Sequence, residues 1–177
     1  LVVNDGQADS APDTAIIETD TTPPDINFAG GSELSGETTV ECGSDSFEEP
    51  TAVDPEEGDV TGRLEVSGQA DLSRPGDYVL EYTASDSSGN VSDTFVLTVH
   101  VVDTTPPVLT LLGASSLTVE CGSPYDDPGA EAVDVCAGTV PVTQVGAVDT
   151  AVPGAYTISY EATDSAGNAA APVSRTV

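Results

Sequence analysis

One block occurs twice in this chain, as Pro75-Gly-Asp-Tyr-Val-Leu-Glu-Tyr-Thr-Ala-Ser-Asp-Ser-Ser-Gly-Asn90 and as Pro153-Gly-Ala-Tyr-Thr-Ile-Ser-Tyr-Glu-Ala-Thr-Asp-Ser-Ala-Gly-Asn168. In the first copy Tyr78, Leu80, Tyr82 and Ala84 alternate with Val79, Glu81 and Thr83. A period of two is the signature of a half-buried strand, since successive side chains point to opposite faces. The Pro-Gly step before the run and the Asp-Ser-x-Gly-Asn loop after it are turn formers, and Thr94 to Val102 resumes as strand. Each copy is a hairpin, so the chain is built from two modules rather than one.

The rest of the chain follows the same duplication. Asp20-Thr-Thr-Pro-Pro24 returns as Asp103-Thr-Thr-Pro-Pro107. Tandem prolines carry no N–H and have a fixed φ, so they interrupt a strand ladder and give a short, stiff connection. After each linker come a first strand (Ile26 to Phe28; Val108 to Leu112) and then Thr39-Val-Glu-Cys-Gly-Ser44 or Thr118-Val-Glu-Cys-Gly-Ser123. Phe47 corresponds to Tyr125, each followed by two acids and a proline, and Ala52-Val-Asp54 corresponds to Ala132-Val-Asp134. A further strand (Leu64 to Val66; Val140 to Val145) leads into each Pro-Gly hairpin. No segment has helical periodicity, so the expected class is all-β. The expected domains are 1–19, a partial unit; 20–102; and 103–177.

Charge narrows the function classes. Three arginines (Arg63, Arg74, Arg175) and no lysine stand against 31 acidic residues, a formal net charge of -28. Nucleic acid is excluded as a natural partner, because phosphate contacts need Lys and Arg. Anionic membrane surfaces are disfavoured for the same reason, and no apolar run approaches the roughly 20 residues of a spanning helix. Such self-repulsion opposes compaction unless salt screens it or bound divalent cations neutralise it. Catalysis has little support, with a single histidine, His100, in a strand and no nucleophile–base or zinc-type pattern. Glycan platforms usually expose aromatic faces, but there is no Trp and every aromatic occupies a strand or a duplicated position.

Side by side, Asp-Thr-Thr-Pro-Pro, Val-Glu-Cys-Gly, the Ala-x-Asp step, Pro-Gly-x-Tyr and Asp-Ser-x-Gly-Asn resemble the bacterial immunoglobulin-like surface repeats related to hyalin repeats. Two copies cover residues 20 to 177. The resemblance implies two tandem immunoglobulin-like β-sandwiches of the kind found in extracellular arrays: stalks, adhesins, filaments, or spacers and glycan-binding modules of secreted enzymes. The partners it implies are neighbouring Ig-like domains of the same chain or identical subunits, together with a cell-surface or glycan receptor. Fold alone does not choose among these roles. Residues 1–17 resemble the closing hairpin of a polycystic-kidney-disease-type sandwich. They are expected to belong to a preceding domain or to be donated as a strand to a neighbouring subunit.

Departures between the copies carry the site expectations. The acidic loop Asp54-Pro-Glu-Glu-Gly-Asp59 of repeat one becomes Asp134-Val-Cys-Ala-Gly-Thr139 in repeat two, with Cys136 in the place of Glu56. Cys136 has one mate in its own repeat, Cys121, and a bridge closing that ~15-residue loop would contribute about 3 kcal/mol in an oxidising compartment. Cys42, at the position of Cys121, then reads as a small buried thiol or an intermolecular bridge. Calcium is the chemistry the acids suggest, since Ca²⁺ takes six to eight hard oxygen ligands. Linker, hairpin turn and acidic loop are expected to supply Asp20, Asp54, Glu56, Glu57, Asp59, Asp86 and Asn90 in repeat one. Asp103, Asp134, Asp164 and Asn168 are their counterparts in repeat two. The bland alternative is that Asp86 and Asp164 open turns and that Asn90 and Asn168 close them. Asn90-Val-Ser is also an N-glycosylation triplet.

Overall fold

A computed structural model describes residues 19–29, 31 and 34–177. The expected hairpin at residues 1–17 lies outside them. The described residues form thirteen strands and one short 3₁₀ turn, Thr61–Arg63. The chain is all-β, as the patterning predicts, and among the described residues no helix is long and apolar enough to cross a membrane.

In chain order the strands are β1 (Asp25–Asn27), β2 (Ser35–Glu41), β3 (Thr51–Asp54), β4 (Gly58–Asp59), β5 (Leu64–Ser67), β6 (Gly76–Ala84) and β7 (Phe95–Val102). The second repeat contributes β8 (Val108–Leu111), β9 (Ala130–Asp134), β10 (Gly138–Val140), β11 (Val142–Val145), β12 (Thr157–Ala162) and β13 (Val173–Thr176). Repeat one makes a three-stranded sheet, β1-β3-β4, and a four-stranded sheet, β2-β7-β6-β5; repeat two makes β10-β9-β8 and β11-β12-β13. Two antiparallel sheets per repeat is the tandem immunoglobulin-like sandwich architecture.

The alternation that marked the strands also decides their burial. Along β7, Phe95, Leu97, Val99 and Val101 are buried and the residues between them are half-exposed. In β6, Leu80, Tyr82 and Ala84 point inward, as do Ile158, Tyr160 and Ala162 in β12. Each such apolar side chain contributes roughly 1.5–3 kcal/mol by leaving water, which is what holds these short strands together.

By contact density the chain divides into two compact units. One takes in the described residues up to Gly36 with Glu49–Ser67 and Glu81–Val96; the other takes in Glu37–Glu48, Gly68–Leu80 and Leu97–Val177. In the first, the Phe28 and Phe95 rings lie 6.2 Å apart and tilted. Gly36 is buried against them: a Cβ there would meet Phe28 at 2.6 Å. In the second, Ala132, Val140, Ala162 and Ala170 form a core cluster on which Leu109 and Val142 pack.

The second unit also buries an arginine. Arg175 on β13 is 0% exposed. Its Nε donates to the Ala114 carbonyl at 2.9 Å. One terminal nitrogen donates to the Asp127 carboxylate and to the Tyr160 hydroxyl, the latter at 3.2 Å. The other donates to the Leu112 and Gly129 carbonyls. Tyr160 in turn donates to Asp127 at 2.5 Å. Every face of the guanidinium is used, the condition under which a charge tolerates burial.

Candidate functional site

Where the first linker meets its repeat, three carboxylates converge. Single oxygens of Asp20, Asp54 and Glu56 lie within 4.8 Å of one another. Asp54 ends β3, and its Oδ1 accepts the Glu56 and Glu57 N–H groups at 2.9 and 2.8 Å, folding the β3–β4 loop over it. Asp20 is placed by the linker, where its Oδ1 accepts the Thr22 N–H at 3.0 Å. The Thr22 hydroxyl donates to Glu56 at 3.4 Å, tying linker to loop. What remains is the second oxygen of each aspartate. Asp54 is 1% exposed, and neither its Oδ2 nor the buried Oδ2 of Asp20 has a hydrogen-bond partner. A buried acceptor without a donor costs about 1–3 kcal/mol, more when it is charged. A hard cation between these oxygens would remove that cost, and the donor set, all carboxylate oxygen, suits Ca²⁺.

The other acids expected here have different partners. Glu57 is paired with Arg63 at 2.6 Å and accepts from the Ser87 N–H at 2.8 Å and the Ser87 hydroxyl. Those Ser87 and Arg63 bonds hold its carboxyl below the ordinary value. Asp59 accepts the Thr61 N–H at 2.9 Å, which lowers its pKa as well. Asp86 and Asn90 close a turn on each other: Asp86 accepts the Asn90 backbone N–H at 2.8 Å and its side-chain amide at 2.6 Å. The same amide reaches the Asp20 carbonyl at 3.3 Å. Burial pushes the Asp86 carboxyl up, but the bonds from Asn90, Gly89 and Ser88 outweigh it and the net shift is downward. Asp86 and Asn90 thus position the linker, and the glycosylation-triplet amide is already spent on hydrogen bonds.

Repeat two repeats the scaffold with one ligand changed. Asn168 donates to Asp164 at 2.8 and 2.9 Å and to the Asp103 carbonyl at 3.1 Å. Asp134 Oδ1 accepts the Cys136 and Ala137 N–H groups at 2.7 and 2.8 Å, and its Oδ2 is buried without a partner. Asp103, Asp134 and Cys136 form the corresponding cluster. Its third member is a disulfide sulfur, neither charged nor hard, so two carboxylates stand where repeat one has three. Burial, then the like charges of Asp134, Asp164 and Glu41, raise the Asp103 pKa despite the Thr105 N–H bond.

The disulfide is the correction to the sequence expectation. Cys136 is bonded to Cys42, not to Cys121; the Cα atoms are 6.0 Å apart and the bond spans 94 positions. Cys121 is a free, exposed thiol. Position in the module explains it. Cys136 sits in the β9–β10 loop beside Asp103, where the linker enters repeat two. Cys42 follows β2, its N–H on the Val102 carbonyl at 2.7 Å, where the chain leaves repeat one. Cys121 faces the Ala151 carbonyl at 3.6 Å, away from its expected mate. Beside the bridge, Glu41 accepts from the linker: Thr104 N–H at 2.7 Å, Thr104 hydroxyl at 2.8 Å and Thr105 hydroxyl at 2.9 Å. These linker bonds hold its pKa below the ordinary value.

Several aromatic residues and the histidine have local contacts, although the buried Tyr82 hydroxyl has no hydrogen-bond partner among the described residues. Tyr82 and Tyr160 are buried, and the hydroxyls of Tyr78 and Tyr156 both donate to backbone carbonyls at 2.9 Å, of Arg74 and Val152. His100 Nδ1 lies 2.7 Å from Asp77.

Residues 32–101 and 109–177 each match the family model described as bacterial surface protein, Ig-like domain. Among curated proteins, hyalin of Strongylocentrotus purpuratus is 32% identical over 175 residues, 89% of this chain and 14% of that protein. Hyalin of Lytechinus variegatus is 35% identical over 114 residues, 61% of this chain and 20% of that protein. The chain therefore spans a fifth or less of these relatives. Among solved structures, CBM51-2 in complex with GlcNAc and INT domains from Clostridium perfringens ZmpB aligns with 79% of this chain and 30% of that one, at 16% identity and a TM-score of 0.38. The fibronectin(III)-like modules of Clostridium thermocellum CbhA align with 85% of this chain and 92% of that one, at 19% identity and a TM-score of 0.32.

Proposed function

Because this chain belongs to the bacterial surface protein Ig-like domain family, we propose that it is a structural segment of a bacterial extracellular stalk, adhesin or filament, a spacer rather than a catalyst. Its modules are 20–102 and 103–177, and its partners are neighbouring Ig-like modules. The observation that carries this reading is the Cys42–Cys136 bond. Cys42 belongs to the first family match and Cys136 to the second, so the bond joins successive repeats and leaves each repeat's own sheets uncrosslinked. Glu41 adds three hydrogen bonds from the intervening linker. A bond of this kind specifies spacing between modules, which a free-standing enzyme or lectin domain has no need of.

Calcium completes the proposal at the other linker. Asp20, Asp54 and Glu56 would hold Ca²⁺ through carboxylate oxygens, with Asp86 and Asn90 fixing the Asp20 backbone. The ion would offset like-charge repulsion in a chain of net charge -28, at the 10⁻⁴ to 10⁻³ M affinity usual for extracellular modules. Small-angle scattering and thermal melting of the chain in calcium and in chelator test both parts. Calcium should raise the melting temperature, and reduction of the disulfide should broaden the distance distribution. Melting curves that superpose with and without calcium would remove the cation. A scattering profile unchanged by reductant would remove the spacer role.

A further inference from the structure

The turn that carries the inter-repeat bond in repeat one has the same backbone hydrogen bonds in repeat two. Gly43 donates to the Leu72 carbonyl at 2.7 Å, and Gly122 donates to the Thr150 carbonyl at 2.7 Å. Ser44 closes on Glu41 O at 3.1 Å, and Ser123 on Glu120 O at 2.9 Å. The Asp71 carboxylate accepts Ser73 N–H at 3.0 Å, and Asp149 accepts Ala151 N–H at 3.0 Å. The two glycines share one left-handed conformation, φ 84° and 82°. The occupant differs, and so does the neighbouring strand: Cys42 N–H is bonded to the Val102 carbonyl at 2.7 Å, a position that in repeat two falls beyond Val177. A Cβ on Gly43 would lie 2.4 Å from a Val135 methyl of the Cys136 loop, whereas nothing lies within 4 Å of one on Gly122. Cys42 is 5% exposed under that loop, while Cys121 is exposed. Beside Cys121 opens a pocket of about 250 Å³ lined by Val119, Val148, Val152, Tyr156 and Val177.

We propose that Cys121 is the receiving half of a second bridge of the same kind, and that its partner is a further Ig-like repeat with cysteine at the position Cys136 holds. The incoming loop seats the residue before its cysteine over Gly122, as Val135 sits over Gly43. The Thr-Thr of its linker reaches Glu120, as Thr104 and Thr105 reach Glu41. Repeat one cannot supply the loop, because Glu56 stands where the cysteine would be. A second copy of this chain cannot supply it either, because its Cys136 is already bonded to Cys42. The bond forms by ordinary exchange with a small disulfide oxidant. The Cys121 thiolate attacks the oxidant and releases one thiol, and the incoming thiolate then displaces the second. Two protein thiols lose two protons and two electrons, and one oxidant disulfide becomes two thiols. The proposal rests on the tandem-array reading, whose failure would show separately in the scattering of the unextended chain.

The test is an extended chain in which residues 100–177 follow Val177 once more, because Val177 stands at the position of Val99, oxidised with glutathione disulfide and digested for peptide mapping. The expected result is a bond from Cys121 to the appended Cys136, one free thiol per chain (the appended Cys121), and bridge formation independent of protein concentration. The Cys42–Cys136 bond in the same molecules reports that the receiving module has folded. Molecules carrying that bond but leaving both Cys121 and the appended Cys136 free would overturn the proposal. So would pairing of the two cysteines inside the appended repeat, or a Cys121–Cys121 dimer. As a second variant, Gly122→Val should slow the new bond at least tenfold while leaving Cys42–Cys136 intact; an unchanged rate would refute the proposed seat.

Discussion

Asp127→Asn isolates the cost of leaving the buried arginine without its anion. Arg175 is fully buried and, among the described residues, Asp127 is its one charged partner, itself 13% exposed. Asparagine keeps an oxygen to accept from the guanidinium but removes the charge. Breaking a buried pair from one side costs about 3–5 kcal/mol, and the retained acceptor places this substitution near 3. For a module of this size each kcal/mol moves the midpoint by about 4–8 °C, so a loss of roughly 12–24 °C is expected. Glu57→Gln is the matched control: its partner Arg63 is 44% exposed, and an exposed ion pair adds little to stability. Thermal unfolding followed by circular dichroism at pH 7 compares the two. The pH dependence has a definite sign. Burial raises the Asp127 pKa, but the Tyr160 hydroxyl, the Gly129 N–H and Arg175 outweigh it, so the folded value is depressed. The carboxylate therefore contributes fully above its unfolded pKa of about 3.9, and that contribution is lost as pH falls through the lower folded value. The gap between wild type and Asp127→Asn should be widest near neutrality and close in acid. A gap at pH 7 no larger than that of Glu57→Gln would refute the reasoning.

The remaining predictions concern the sulfur and the carboxylates. Thiol titration of the chain denatured without reductant should find one thiol, mapping to Cys121, and a thiol at Cys42 would reverse the assigned pairing. Cys42→Ser should destabilise the chain by up to about 4.7 kcal/mol, the chain-entropy figure for a loop of about 100 residues, read from the urea midpoint. At a hundredfold excess over its Kd, calcium should stabilise wild type by about 2.7 kcal/mol. Asp54→Asn should abolish that increment in the same calcium-dependent melt. Asp103→Asn should raise the melting temperature in chelator at pH 7. The folded Asp103 pKa is raised, so its charged form opposes folding there, and the advantage should shrink as acid protonates the wild-type carboxyl. A lower melting temperature would mean that Asp103 contributes through contacts its amide cannot replace.

The strands were legible because their signal is local: the alternation at Tyr78 to Ala84 and at Phe95 to Val101 is the burial pattern itself. The carboxylate cluster was legible in part, since Asp20 and Asp54 repeat with the linker and loop that carry them and Glu56 lies in that same loop. Glu57 and Asp59 read as ligands because composition cannot say that Arg63, Ser87 and Thr61 take those oxygens first. The disulfide was not legible because nearness in sequence does not fix nearness in space. Cys121 and Cys136 share a repeat, but one lies where the chain enters it and the other faces Ala151. A signal existed at Arg175: it shares the inward parity of Val173 and Val177, which asks for a buried anion. The change from Phe-Glu-Glu-Pro in repeat one to Tyr-Asp-Asp-Pro at residues 125–128 supplies it.

The bond between Cys42 and Cys136 also decides how the chain carries mechanical load. Tension applied at the two ends runs along the backbone to Cys42, crosses the sulfur atoms and continues from Cys136. The 94-position span it bypasses, with the Thr-Thr-Pro-Pro linker inside it, bears no net pull. That span stores roughly 300 Å of extended contour length, which stretching alone cannot release and a reductant can.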